Sequence, residues 1–427
     1  MPLRHLCLAL VLAAAATASQ AQIGLPKPDL PVVRDLPGRV GGQVGDQVSD
    51  LADDVTGRVE TLVNDRLDQV RGLVRAHPDV LERTPQGDLA VRGEIVAWVQ
   101  STETVAAAQA QGFTVLRRTR MDDLDAEVVV LSPPKGQSAR AALKRLQKID
   151  PQGVYDYNHI YLGSGGAASE PDGPIRGAGG GRVGLIDSGV DAGHPVFRGV
   201  SVIQKGFGGS AVPDAHGTAT AALMMAHGDG NGQAVSGAAL YVADVYGGRP
   251  TGGSTEAIIG ALSWLSKEKV AVINISLVGP ANGPLKAATA AMVRRGHLLV
   301  AAVGNDGPAA KPLYPAAFDG VIGVTGVDAR RKVLIEAGRG PQVDFAAPGA
   351  DIVSAGVGGK RMGVRGTSYA APLVAGVLSR RISVPDTAAA ARAVAELTAQ
   401  ARDLGRAGRD PVFGAGVIEE NIFNKKQ

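Results

Sequence analysis

Residues 182–190, RVGLIDSGV, run a short apolar segment into an aspartate and then into a serine–glycine turn. The same pattern recurs downstream in ALYVADVY (239–246), VAVINISL (270–277), LLVAAVG (298–304) and GVIGVTGV (320–327). Between these runs lie stretches of helical character: HGTATAALMMAH (216–227), TEAIIGALSWLSKE (255–268) and PLKAATAAMVRRG (284–296). Strands that are apolar throughout must be covered on both faces, so their alternation with helices predicts a doubly wound α/β domain with a mainly parallel sheet. In such sheets chemistry collects at the carboxyl ends of the strands.

Upstream, the order changes. LAVRGEIVAWVQ (89–100), FTVLRRT (113–119), AEVVVLSPP (126–134) and GVYDYNHIYLG (153–163) read as strands, with helices at 102–112 and 138–150. The order β-α-β-β-α-β over 89–161 is that of a small ferredoxin-like α+β unit, drawn here as a domain at 81–163. GSGGAASEPDGPIRGAGGG (163–181) has no periodicity and reads as a Gly-rich linker over 164–180. The α/β domain then occupies 181–422.

Three residues sit where the α/β pattern puts chemistry. Asp187 ends RVGLID, His216 opens one helix and Ser368 opens another in RGTSYAAPLVAG (365–376). Acyl transfer needs a hydroxyl, an imidazole to take its proton and a buried carboxylate to fix the imidazole tautomer. It also needs donors for the oxyanion, and Asn305 follows LLVAAVG with a side-chain amide. Taken singly, Asp-Ser-Gly is a strand-ending turn, His-Gly-Thr a helix cap and Gly-Asn a loop. Their joint presence in this order is what points to chemistry.

At these residues the chain resembles the subtilisin-like serine peptidases, or subtilases. GLIDSGVDAGHP, HGTATA, INISLVGP, AAVGNDGP, YPAAFDGVIGVTGVD, VDFAAPGADIVS, GTSYAAPLVAG and FGAGVI match that family's blocks in its order, over roughly 181–420. The resemblance implies a serine endopeptidase in which Asp187 orients, His216 is general base and acid, and Ser368 attacks. Asn305 and the Ser368 N–H would form the oxyanion hole. It implies peptide or protein substrates lying along Ser276, Leu277, Val278 and Gly279, with Val303 and Gly304 across the primary pocket. Val278 and Val303 replace smaller residues of the family, so Ala, Val or Leu before the scissile bond should be cleaved better than Phe or Tyr. The resemblance further implies that 81–163 is an intramolecular propeptide removed by self-cleavage near 161–168; a permanent accessory domain is the alternative. A non-catalytic binding protein or an esterase on the same scaffold are the rival functions.

No cofactor is implied and no metal ligand is assigned. Calcium is left open with an incomplete pattern, because the family's acidic ligand falls at Val196, while Asp229 and Asn231 offer oxygens in a glycine-rich loop. A net charge of +3 over 427 residues, with no basic run, excludes nucleic acid as the expected partner. Residues 1–21 read as a secretory signal, which places the protein outside the cytoplasm, secreted or periplasmic; no later apolar run is long enough for a membrane span. The single cysteine, Cys7, lies inside that signal, so neither a disulfide nor a thiol nucleophile is expected. Residues 22–80 combine a Pro-rich leader with an amphipathic helical stripe, in which Val40, Leu51, Leu62 and Leu73 recur close to the helix repeat.

Overall fold

The computed structural model describes residues 65–99, 102–169, 173–226 and 237–419. The expected signal, the Pro-rich leader, the stripe before residue 65 and the loop with Asp229 and Asn231 lie outside them.

The first described element is a helix through 65–76, α1. The ferredoxin-like unit follows. It contains β1 (Leu81–Arg83), β2 (Leu89–Val99), α2 (Thr102–Ala110), β3 (Thr114–Met121), β4 (Ala126–Ser132), α3 (Ala139–Ile149) and β5 (Val154–His159). Antiparallel pairing puts β2 between β4 and β5, with β3 beyond β4. Side chains alternate across a strand, and this sheet uses both sets. Ile95, Ala97 and Val99 pack with Ala108, Ala142 and Leu146 of the unit's own helices. Val96, Trp98, Val128 and Val130 point the other way, into a cluster with Ile258, Leu262 and Leu285 of the second domain.

That domain is built on seven parallel strands. They are β8 (Arg182–Asp187), β9 (Ser201–Gly206), β10 (Ala239–Asp244), β11 (Val272–Ile275), β13 (Leu298–Ala302), β14 (Ile322–Val327) and β15 (Phe345–Pro348), in the order β15-β14-β13-β11-β8-β10-β9. Helices α4 (Ala215–Met225) and α7 (Thr367–Ser379) cover one face, whereas α5 (Thr255–Lys267) and α6 (Gly283–Arg294) cover the other. Strand β13 shows the division: Leu298, Val300 and Ala302 enter the first cluster, Leu299 and Ala301 the second. Burying each such aliphatic side chain contributes about 1.5–3 kcal/mol, so both layers are held chiefly by apolar contact. The result is the expected doubly wound α/β domain with a parallel sheet, preceded by the α+β unit.

The stretch read as a linker is largely tied down. Leu162–Gly163 forms β6, paired antiparallel with β12 (Leu277–Val278); Gly166–Ala168 forms β7, paired antiparallel with β17 (Arg361–Arg365), which in turn pairs with β16 (Ile352–Ala355). Farther on, Ala178 is fully buried and donates its N–H to the Leu223 carbonyl. A Cβ on Gly177 would lie 2.6 Å from the Ala222 carbonyl oxygen. The small residues that suggested a flexible connector are small because backbone packs on backbone there.

Candidate active site

Asp187 closes β8 and is 1% exposed. Its Oδ1 accepts the Ser188 N–H at 2.7 Å. Its two oxygens stand 2.8 and 3.0 Å from His216 Nδ1. An ionised carboxylate only accepts, so Nδ1 carries the imidazole proton and Nε2 is left with a free lone pair. His216 occupies the first turn of α4, capped by Asp214, whose Oδ1 accepts the His216 N–H at 2.9 Å. Burial works against protonation of the ring, but the Asp187 charge and hydrogen bond outweigh it and raise the pKa above its ordinary value.

Ser368 lies in the first turn of α7, fully buried, after Gly366 at φ +137°. A Cβ on Gly366 would fall 2.8 Å from Asn305 Nδ2 and 2.7 Å from Gly165 Cα, so only glycine leaves room between the amide and the passing chain. Asn305 follows β13, and its Oδ1 accepts the Thr367 N–H at 3.0 Å, which aims Nδ2 into the cleft. Sheet and helix therefore bring Asp187, His216, Ser368 and Asn305 to one corner.

That corner holds a piece of the chain itself. Ser164 offers its carbonyl oxygen to the Ser368 N–H at 3.1 Å. The Ser164 hydroxyl lies 3.2 Å from Ser368 Oγ and 3.5 Å from Asn305 Nδ2. Both expected oxyanion donors thus point at one residue. Gly163 stands beside the imidazole, since a Cβ there would be 3.6 Å from His216 Nε2. Upstream, Tyr161 is fully buried, with its ring over Gly279 and its OH donating to the Pro280 carbonyl at 2.7 Å. Its N–H donates to the Gly253 carbonyl at 2.8 Å, opposite β12. Residues 161–163 are thus held from both sides as an added strand, and 166–168 add to β17 beyond the corner.

One contact differs from a closed triad. The Ser368 hydroxyl donates to Ser164 Oγ, and His216 Nε2 is buried without a hydrogen-bond partner. The acid half of the relay is formed; the nucleophile half is occupied by Ser164.

Of the substrate-lining residues expected, Leu277 and Val278 pair with Gly163 and Leu162 respectively, and Gly279 receives the Tyr161 ring. Ser276 is turned inward, where its hydroxyl donates to the Ser368 carbonyl at 2.9 Å and so steadies α7. Gly304 donates its N–H to Thr367 Oγ1 at 3.2 Å. Val303 departs from the expectation. It is 1% exposed, belongs to the cluster on the face away from α7, and sends Cγ1 to 3.3 Å from a Cβ position on Gly323. Strand alternation puts Ala302, not Val303, on the side of α7. Val196 is half-buried in a short helical turn. Sequence reasoning missed Ser164, Gly165 and Arg66; the first two carried only the signal of small residues ahead of the domain.

The subtilase family model matches residues 179–416. The chain belongs to the subtilase family. Its relatives include the major intracellular serine protease of Bacillus subtilis (strain 168), 34% identical over 215 residues, which cover 46% of this chain and 67% of that protein. Subtilisin-like protease 1 of Arthroderma otae (strain ATCC MYA-4605 / CBS 113480) is 34% identical over 206 residues, or 45% of this chain. This subtilase spans 41% of that fungal relative's length. Among solved structures it is similar to fervidolysin from Fervidobacterium pennivorans, a keratinolytic enzyme related to subtilisin. The TM-score is 0.66 at 19% identity, covering 81% of this chain and 62% of that one, which is a likeness of fold.

Proposed function

We propose that this subtilase is a serine endopeptidase exported as a proenzyme, with Ser368 as nucleophile, His216 as general base and acid, and Asp187 as the group that orients and charges the imidazole. The observation that carries the reading is the chain's own passage through the cleft, with the Ser164 carbonyl on the Ser368 N–H. A segment held by strand addition on both sides, with its carbonyl on an oxyanion donor, lies as a substrate does.

In this reading Ser368 Oγ leaves its bond to Ser164 Oγ and gives its proton to His216 Nε2 as it attacks the Ser164 carbonyl carbon. Negative charge developing on that carbonyl oxygen is taken by the Ser368 N–H and the Asn305 amide. The Ser164–Gly165 C–N bond breaks, and His216 returns the proton to the Gly165 nitrogen. Water, deprotonated by His216, then frees Ser164 from Ser368. Residues 81–163 cover the cleft until this cut is made. No required cofactor enters any step. What supports export is the make-up of residues 1–21, with a basic start, a short apolar run and a small-x-small end at Ser19-Gln20-Ala21.

Intact mass of purified wild type beside Ser368→Ala tests the reading. Wild type should yield a species beginning at Gly165, and Ser368→Ala should lack that cut. Equal processing in both would defeat it. Labelling of Ser368 by a fluorophosphonate separates the enzyme from a non-catalytic scaffold.

A further inference from the structure

Helix α7 holds a proline in its interior, Pro372, and the residue four places before it is Ser368. In an α-helix the N–H of position 372 would donate to the Ser368 carbonyl. Pro372 has no N–H, and its ring crowds that same carbonyl. A buried carbonyl without a donor is destabilising, so a partner has to come from outside the helix. It comes from the sheet. Ser276, between β11 and β12, places its Oγ 2.9 Å from the Ser368 carbonyl oxygen.

This contact fixes the direction of a longer chain of bonds. A carbonyl oxygen only accepts, so the Ser276 hydroxyl gives its one proton to Ser368. Its oxygen then accepts from Asn274 in β11, whose Nδ2 is 2.8 Å away. Asn274, Ser276 and Ser368 are all fully buried. Asn274 shares its side of the strand with Val272, which packs in the cluster beneath α7. With the amide turned this way, Asn274 Oδ1 has no partner among the described residues. An aliphatic side chain at 274 would avoid that cost; what the amide supplies is a fixed Ser276 hydroxyl.

We propose that Asn274 and Ser276 are positioning residues for the nucleophile. The Ser276 hydroxyl replaces the N–H that Pro372 lacks, Asn274 holds that hydroxyl in line, and together they fix Ser368 beside the imidazole and the Asn305 amide. This rests on the reading of Ser368 as nucleophile. Ser368 is thereby held on both sides, because Asn305 Oδ1 takes the Thr367 N–H just before it and Ser276 takes the carbonyl after it.

The test follows two rates, well below the melting temperature of every variant. One is self-cleavage of the full-length chain, read by intact mass; the other is fluorophosphonate labelling of the processed enzyme. A merely structural contact leaves both rates of the folded protein unchanged. Ser276→Ala should slow both about ten- to hundred-fold, as a misplaced reacting group does. The loss should lie in the labelling rate at saturating probe, with the half-saturating concentration little changed. Pro372→Ala returns an N–H to the Ser368 carbonyl, so Ser276→Ala combined with Pro372→Ala should recover most of the lost rate. Asn274→Ala keeps the hydroxyl but frees it, and should show a smaller loss that Pro372→Ala also relieves. Should Ser276→Ala fail to fold, the Asn274→Ala pair decides. Unchanged rates, or losses that Pro372→Ala does not relieve, overturn the relay, and labelling of wild type then spares the nucleophile. A wild type that neither cuts itself nor labels overturns both.

Discussion

The two sheets of this subtilase are finished in different ways. The seven-stranded sheet carries its own helices on both faces, and its strand ends hold Asp187 and, through the adjoining loops and helix starts, His216, Asn305 and Ser368. The antiparallel sheet of the covering unit has helices of its own on only one face. Val96, Trp98, Val128 and Val130 on the other face are covered by α5 and α6 of the neighbouring domain. One sheet is complete alone; the other is completed by what it covers. The chemistry should therefore fail at the strand ends without loss of fold, while changes in the covering sheet should act on docking.

The largest effect should come from the strand end of β8. Asp187→Asn keeps the shape but loses the charge that holds Nδ1 protonated, and should lower the rate of self-cleavage by about 10³–10⁴ with thermal unfolding little changed. Comparable loss of fold would break the distinction between the two sheets. Next, Trp98→Ala removes a large side chain from the shared apolar cluster and should weaken the covering unit's contact by about 3–5 kcal/mol. Cover and cleft should then open to added protease in Ser368→Ala background, read by limited proteolysis.

Two titratable groups at the same seam give a pH signature. Burial lowers the pKa of His159 to about 4, and its Nδ1 lies 3.0 Å from Asn282 Nδ2 of the second domain. Stability from a depressed histidine is present above its unfolded value near 6.5 and is lost as pH falls toward 4. Asp156 runs the opposite way. Burial raises it to about 6 while it accepts the Gly283 N–H at 3.1 Å, so its contribution is full below pH 3.8 and lost as pH rises from there through 6. His159→Gln should flatten the decline below pH 6.5 and Asp156→Asn the decline between 4 and 6, each by up to about 3 kcal/mol. The melting temperature of Ser368→Ala against pH reads both; superimposable curves would remove the seam as a pH-sensitive element.

The smallest effect belongs to the half-exposed Arg117. It joins Glu94 of the cover at 2.6 Å to Glu256 of α5 at 2.7 Å. Surface ion pairs contribute about 0–1 kcal/mol, so Arg117→Ala should shift docking far less than Trp98→Ala and lose even that at high salt.

Much of this was legible before the fold was seen, and the reason is local. Asp187, His216, Asn305 and Ser368 each sit beside a strand end or helix start that its own neighbours specify, so their convergence follows from the parallel sheet. The element order of 89–161 likewise fixed the covering unit. Val303 was assigned to the wrong face because one step along a strand reverses a side chain, and LLVAAVG is apolar on both parities. The segment after Gly163 was read as slack because glycine and alanine signal freedom and close packing alike. Arg66 acts across more than two hundred residues of sequence, on Val278 and Asp306, through geometry that no local spacing encodes.

The packed glycines at 177–181 have a last consequence. They moor the α/β domain's leading end beneath α4 and α7, so a terminus made at Gly165 by the proposed cut would belong to a chain still tied down at β7 and again at Gly177. While β7 keeps its place beside β17, that stub would linger at the exit side of the cleft, and the first visitor must displace it.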